Sequence, residues 1–183
     1  MMIKKGQVWI ETVIYTLIGL ALIGLVLAIV TPKIGEAKDK IVVEQTIKSL
    51  SDFDSKMVAA LDWGSGNTRI VDFTMRQGEL YINSSGDKIV FVLSDLGKPY
   101  SQPGVPIKQV PVTIVSELGQ KSSSVSITLD YTNIADLTYS KREMFKEFSS
   151  AATPYTFFIT NRGDLNKDDT DYTVTLDIVE GAA

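Results

Sequence analysis

The amino-acid sequence predicts an α+β protein: a long, kinked N-terminal α-helix, half transmembrane and half amphipathic, packed on a C-terminal antiparallel β-sandwich. Three observations predict it. No charged residue occurs between Thr12 and Thr31. Beyond Pro32, apolar residues recur at spacings of three, four and seven, the signature of one buried helix face. From Asn67 onward the pattern changes to short alternating runs separated by turn residues. The 183 residues suffice for one medium domain and a membrane element.

The apolar run comes first. As a helix it rises about 30 Å, the thickness of the hydrocarbon core of a bilayer. Pro32 has no amide proton to donate and is expected to kink or locally unwind the helix, with Gly35 as a second soft point. Ile34, Ile41, Val43, Ile47, Leu50, Phe53, Met57 and Leu61 then form a stripe. Lys38, Asp39, Lys40, Glu44, Lys48, Asp52 and Lys56 fill much of the remaining surface. The glycines of "DWGSGN" end the helix. The region of the stripe from Ile47 to Leu61 is expected to lie against the β-domain. Gly19 and Gly24 are small enough for close helix approach, but their spacing of five misses the small-xxx-small pattern.

The strands follow. "RIVDF" and "ELYIN", separated by "TMRQG", suggest a hairpin. "KIVFVL", "VPVTIV", "SVSITLDY", "PYTFFIT" and "YTVTLDIV" complete the set. In the last, Val174, Leu176 and Ile178 alternate with Thr175 and Asp177. "SKREMFKEF" is compatible with a short helix or an edge strand, and an extended segment is the preferred reading. About seven strands is close to the count expected of a sandwich.

Composition narrows the function. With neither cysteine nor histidine, the chain lacks disulfides, thiolate catalysis, imidazole bases and nearly all zinc chemistry. There is no nucleophile elbow and no phosphate loop, so neither an enzyme nor a bound cofactor is expected. The net charge is −4 and no run of basic residues is longer than a pair such as Lys4–Lys5, so nucleic acid is not an expected partner.

The N-terminal segment admits three readings. A secretory signal peptide has an apolar region of about 7–15 residues followed by a small-residue cleavage site. This run is longer and leads into "TPKIGEAKDK". A plain single-span anchor, with Lys4 and Lys5 held in the cytoplasm, fits the run. It leaves Glu11 unexplained, because ionisable residues in membrane segments are rare and usually functional. The third reading uses every residue. "KKGQVWIE" followed by the apolar run resembles the processing site of the type IV pilin superfamily, and more closely the archaeal class III signal peptide. The resemblance implies a prepilin peptidase that cuts between Gly6 and Gln7 on the cytoplasmic side, with Lys4 and Lys5 as the basic leader residues. Glu11 then stands where pilins carry their glutamate. Archaellins usually lack that acid, so an adhesion-type pilus is favoured.

On this resemblance the chain divides into a leader, 1–6, a transmembrane and filament-core helix, 7–31, an amphipathic continuation, 32–63, and an extracellular β-sandwich domain, 67–183. Cleavage would give Gln7 a positive amine on the same helix face as Glu11. An acid near the start of the shortened helix also complements its dipole. In a filament Glu11 would pair with the Gln7 amine of a neighbour.

Two other motifs are weighed. "RGDLNKDDTDY" carries Asp164, Asn166, Asp168 and Asp171, oxygen ligands in a pattern like that of a calcium loop. Asp169 stands where an EF-hand loop needs glycine and Thr175 where it needs glutamate, so a solvated turn is preferred and calcium is the alternative. The tripeptide "RGD" is too short to carry weight. Asn83 heads the sequon "NSS" at an expected turn, where N-glycosylation is chemically possible.

The functional expectation is the precursor subunit of an archaeal type IV pilus-like filament, made for adhesion or surface attachment. It would sit in the cell membrane with a cytoplasmic N-terminus before assembly and on the extracellular surface after it. The family implies a homopolymer, an assembly ATPase and a membrane platform protein as partners. The alternatives are a monomeric single-span protein with a binding β-domain, or a minor pilin or pseudopilin of a secretion or uptake system.

Overall fold

A computed structural model describes residues 4–165 and 173–181, with side chains from Trp9 onward. Among the described residues the element order is one long helix followed by ten strands, with one 3-10 turn between the second and third strands. Contacts divide the chain into two units, residues 1–39 and 40–183, and helix α1 (Lys4–Asp62) contributes to both.

In the first unit α1 is helical throughout, Pro32 included, so the local unwinding expected at Pro32 is not found. The missing amide still leaves the Ala28 carbonyl without its usual donor. Directly before Pro32, the Thr31 hydroxyl donates to the Leu27 carbonyl at 2.7 Å, and after it Lys33 pairs with Glu36 at 3.3 Å.

The second unit holds the core. Val43, Ile47, Leu50, Phe53 and Met57 are buried along one face of α1, as the stripe predicts; Ala60, which it does not include, is buried too, Leu61 is only partly buried and Ile34 is exposed. Ile41, which the sequence also assigns to the stripe, is half exposed, so burial starts at Val43. The helix ends through a side-chain cap. Asn161 Nδ2 donates to the Ala60 carbonyl at 3.0 Å, and Gly64 takes up φ +80° directly after the last turn.

The strands are β1 (Thr68–Phe73), β2 (Glu79–Asn83), β3 (Lys88–Leu96), β4 (Ile107–Gln109) and β5 (Val112–Leu118). After them come β6 (Ser123–Asp130), β7 (Asp136–Tyr139), β8 (Phe145–Ser149), β9 (Tyr155–Asn161) and β10 (Thr175–Glu180). They form a four-stranded sheet, β1-β9-β10-β7, and a six-stranded sheet, β4-β5-β6-β3-β2-β8. An aromatic chain ties both sheets to the helix. Phe53 lies 6.3 Å from Phe73 and 5.7 Å from Phe157, Phe73 lies 6.1 Å from Phe91, and Phe148 lies 5.1 Å from Phe157.

Several expectations change. β1 and β2 are not a hairpin: β1 pairs with β9 and β2 with β3 and β8, in different sheets. The connector between them buries Met75, whose carbonyl accepts from Ala151 N, while Thr74, Arg76 and Gln77 stay exposed, so this segment passes from one sheet to the other instead of turning back. Gly78 closes the crossing at φ +83°, and a Cβ there would stand 2.6 Å from the Val92 carbonyl and 2.7 Å from the Phe91 ring. Pairing is antiparallel except between β7 and β10, which run parallel with Leu176 opposite Leu137. "SKREMFKEF" is extended from Phe145, as preferred.

The alternation expected in the last strand also changes. Leu176 and Ile178 enter the core, but Thr175 and Asp177 are buried as well. Asp177 is covered on its outer side. Its Oδ1 accepts from the Thr138 hydroxyl at 2.9 Å and from Lys141 N at 2.6 Å, and Arg162 stands 3.7 Å from Oδ2. Ser140 and Lys141 both have positive φ, 51° and 65°, in a tight turn closed by reciprocal Tyr139–Arg142 backbone bonds. Neither residue favours that conformation, and the Asp177 carboxylate holds the turn in it.

A candidate assembly helix

The site is built on the first unit of α1. Every leucine, isoleucine and valine between Trp9 and Val30 is at least 40% exposed, on all faces of the helix. At about 1.5–3 kcal/mol per large apolar side chain, leaving them in water would cost tens of kcal/mol. The segment is long and apolar enough to cross a membrane.

Glu11 is exposed among these side chains. The Tyr15 hydroxyl, one turn later, donates to Glu11 Oε1 at 3.3 Å. Ile10 and Ile14 flank the pair and form a shallow concavity with it. The Thr16 hydroxyl is spent on the Thr12 carbonyl at 2.8 Å. Tyr15 was not singled out from the sequence, although its i+4 spacing from Glu11 was the available signal.

The other residues named from the sequence fall as follows. Lys4, Lys5, Gly6 and Gln7 lie in the first helical turn of α1. Glu11 therefore stands beyond the first turn of the uncut helix, and only removal of residues 1–6 would bring it near the start. Asn83 is half-buried at the end of β2, where a single 3-10 turn (Ser84–Gly86) begins. Asp164 is half-buried after β9, while Asn166, Asp168 and Asp171 lie outside the described residues.

A carboxylate cluster in the β-domain was also missed. Asp87 sits at φ 50° after the 3-10 turn, and its Oδ1 accepts from Leu137 N at 2.9 Å. Burial raises its pKa, with Asp136 and Asp130 adding to the effect. Glu143 is also raised, by burial first and then by Asp136 and Asp87. Thr175 donates to Asp136 Oδ2 at 3.0 Å. Among the described residues no three carboxylates are grouped to hold a metal ion. Elsewhere, Tyr131 donates to Asp54 Oδ1 at 2.8 Å, joining α1 to the β-domain. Burial and that carboxylate both raise the phenol's pKa.

The unit that holds Glu11 thus carries an exposed apolar run with one acid, Glu11, and one phenol, Tyr15, on a shared face, and the unit that follows is an α+β domain with a closed core. No protein-family model matches this chain, no curated protein matches it, and no solved structure matches it.

Proposed function

We propose that this chain is the precursor of a structural subunit of an archaeal type IV pilus-like surface filament, cut after Gly6 and polymerised through its apolar helix. The observation that carries the reading is a helix that exposes apolar side chains on every face from Trp9 to Val30, with one acid in that run, Glu11, the fifth residue after the proposed cut, ahead of a folded β-domain. Such a helix has two stable environments, lipid and a bundle of its own kind.

The steps follow from the residues. Lys4 and Lys5 keep the N-terminus cytoplasmic while α1 waits in the membrane. A prepilin peptidase removes residues 1–6, and Gln7 acquires a positive amine. An assembly ATPase and a membrane platform then move the subunit out of lipid. Glu11 pairs with the Gln7 amine of a neighbour and fixes the axial register. The β-domains coat the outside. Removing the leader deletes two lysines and no acid, so the shortened chain is more acidic in its side chains than the −4 of the whole chain, and the coat is acidic.

The test is electron microscopy of material sheared from the cell surface, labelled with an antibody to the β-domain. Labelled filaments are expected. Label confined to the cell membrane, with no filament, overturns the reading and favours the monomeric anchored protein.

A further inference from the structure

Before residues 1–6 are removed, no amine stands at Gln7 and no neighbour supplies one, so Glu11 needs a partner in the uncut subunit as well as in the filament. The structure shows one. Tyr15 is one turn beyond Glu11, and a helical side chain leans toward the N-terminus, onto the preceding turn. Its hydroxyl thereby reaches Glu11 Oε1 at 3.3 Å. The adjacent hydroxyl, on Thr16, is directed at a backbone carbonyl. Ile10 and Ile14 border the pair. A phenol suits the place, because its ring tolerates the edge of the hydrocarbon while its hydroxyl donates to a charged acceptor.

We propose that Tyr15 is the partner of Glu11 in the membrane-resident subunit, and that assembly exchanges the Tyr15 hydroxyl for the Gln7 amine of the next copy. Only the exchange rests on the filament reading; the pairing in lipid does not. The exchange runs toward the filament because an ion pair in an apolar bundle outweighs one neutral-donor hydrogen bond. Tyr15 is then a positioning residue. It holds the acid facing one side until the amine arrives.

The experiment is infrared spectroscopy of the Glu11 carboxylate in the full chain, reconstituted in phosphatidylcholine vesicles, with the Glu11→Gln variant identifying the band. A hydrogen bond to a carboxylate oxygen changes its stretching frequency, so Tyr15→Phe is expected to shift the Glu11 band. Thr16→Val, which removes the neighbouring hydroxyl, is expected to leave it in place. An unchanged band in Tyr15→Phe overturns the proposal, as does an equal shift in Thr16→Val. The vesicles contain no filament, so this outcome is independent of whether the chain polymerises.

Discussion

At the scale of single residues, three carboxylates behave differently because their surroundings differ. Glu11 stands in an apolar helix. If it sets the register of a filament, Glu11→Val should slow assembly roughly tenfold or more, the equivalent of losing about 1.4 kcal/mol. The measurement is the rate at which pulse-labelled subunits leave the membrane fraction, and an unchanged rate contradicts the role. Asp177 is buried and fully engaged, so Asp177→Ala should leave Lys141 N and the Thr138 hydroxyl unsatisfied. A loss of about 2–3 kcal/mol is expected in denaturant unfolding of the full chain in detergent. Glu143 is the reverse case. Its folded-state pKa is raised, so the folded form holds its proton more tightly than the unfolded form. Its contribution is therefore most favourable below the unfolded value and is lost as pH rises through the folded one. Glu143→Gln should stabilise the protein at pH 7, and the gain should fade as pH drops toward about 4. Because Glu143 is exposed, about 0.5 kcal/mol or less is expected.

At the scale of elements, the helix was the most legible part of the sequence. Its stripe carries a period of 3.6 over many turns, and residues Val43 to Ala60 obey it. The strands that were missed are the short ones. β4 has three residues, all exposed, and β7 has four with three in succession buried, so neither shows an alternation. The hairpin expected between β1 and β2 failed because "TMRQG" reads as a turn by its glycine, while Met75 in its middle is a core residue. The buried Asp177 was illegible because its cover comes from residues distant in the chain, Thr138, Lys141 and Arg162. The Glu11–Tyr15 contact was within reach of the sequence, since it needs only helical spacing. The strained turn gives a prediction of its own. Replacing Ser140–Lys141 with Asn-Gly, which accepts positive φ readily, should stabilise the full chain by about 1 kcal/mol in the same unfolding measurement.

At the scale of the whole molecule, the division into two units matters most. All buried core side chains lie at or beyond Val43, and the exposed apolar run lies before Pro32. A chain beginning at Lys40 should therefore stay folded and soluble, while the full chain partitions into membranes. Circular dichroism and flotation with vesicles would show both. Flotation of the shortened chain would contradict this separation of roles.

The central claim is that Lys4, Lys5 and Gly6 form an address that is cut away, leaving Gln7 as a new positive end beside Glu11. The most direct test is the N-terminal sequence of the protein recovered from its native cells. The account predicts a chain that begins at Gln7, in both the membrane and the sheared surface fractions. A chain that still begins at Met1 in both would contradict it.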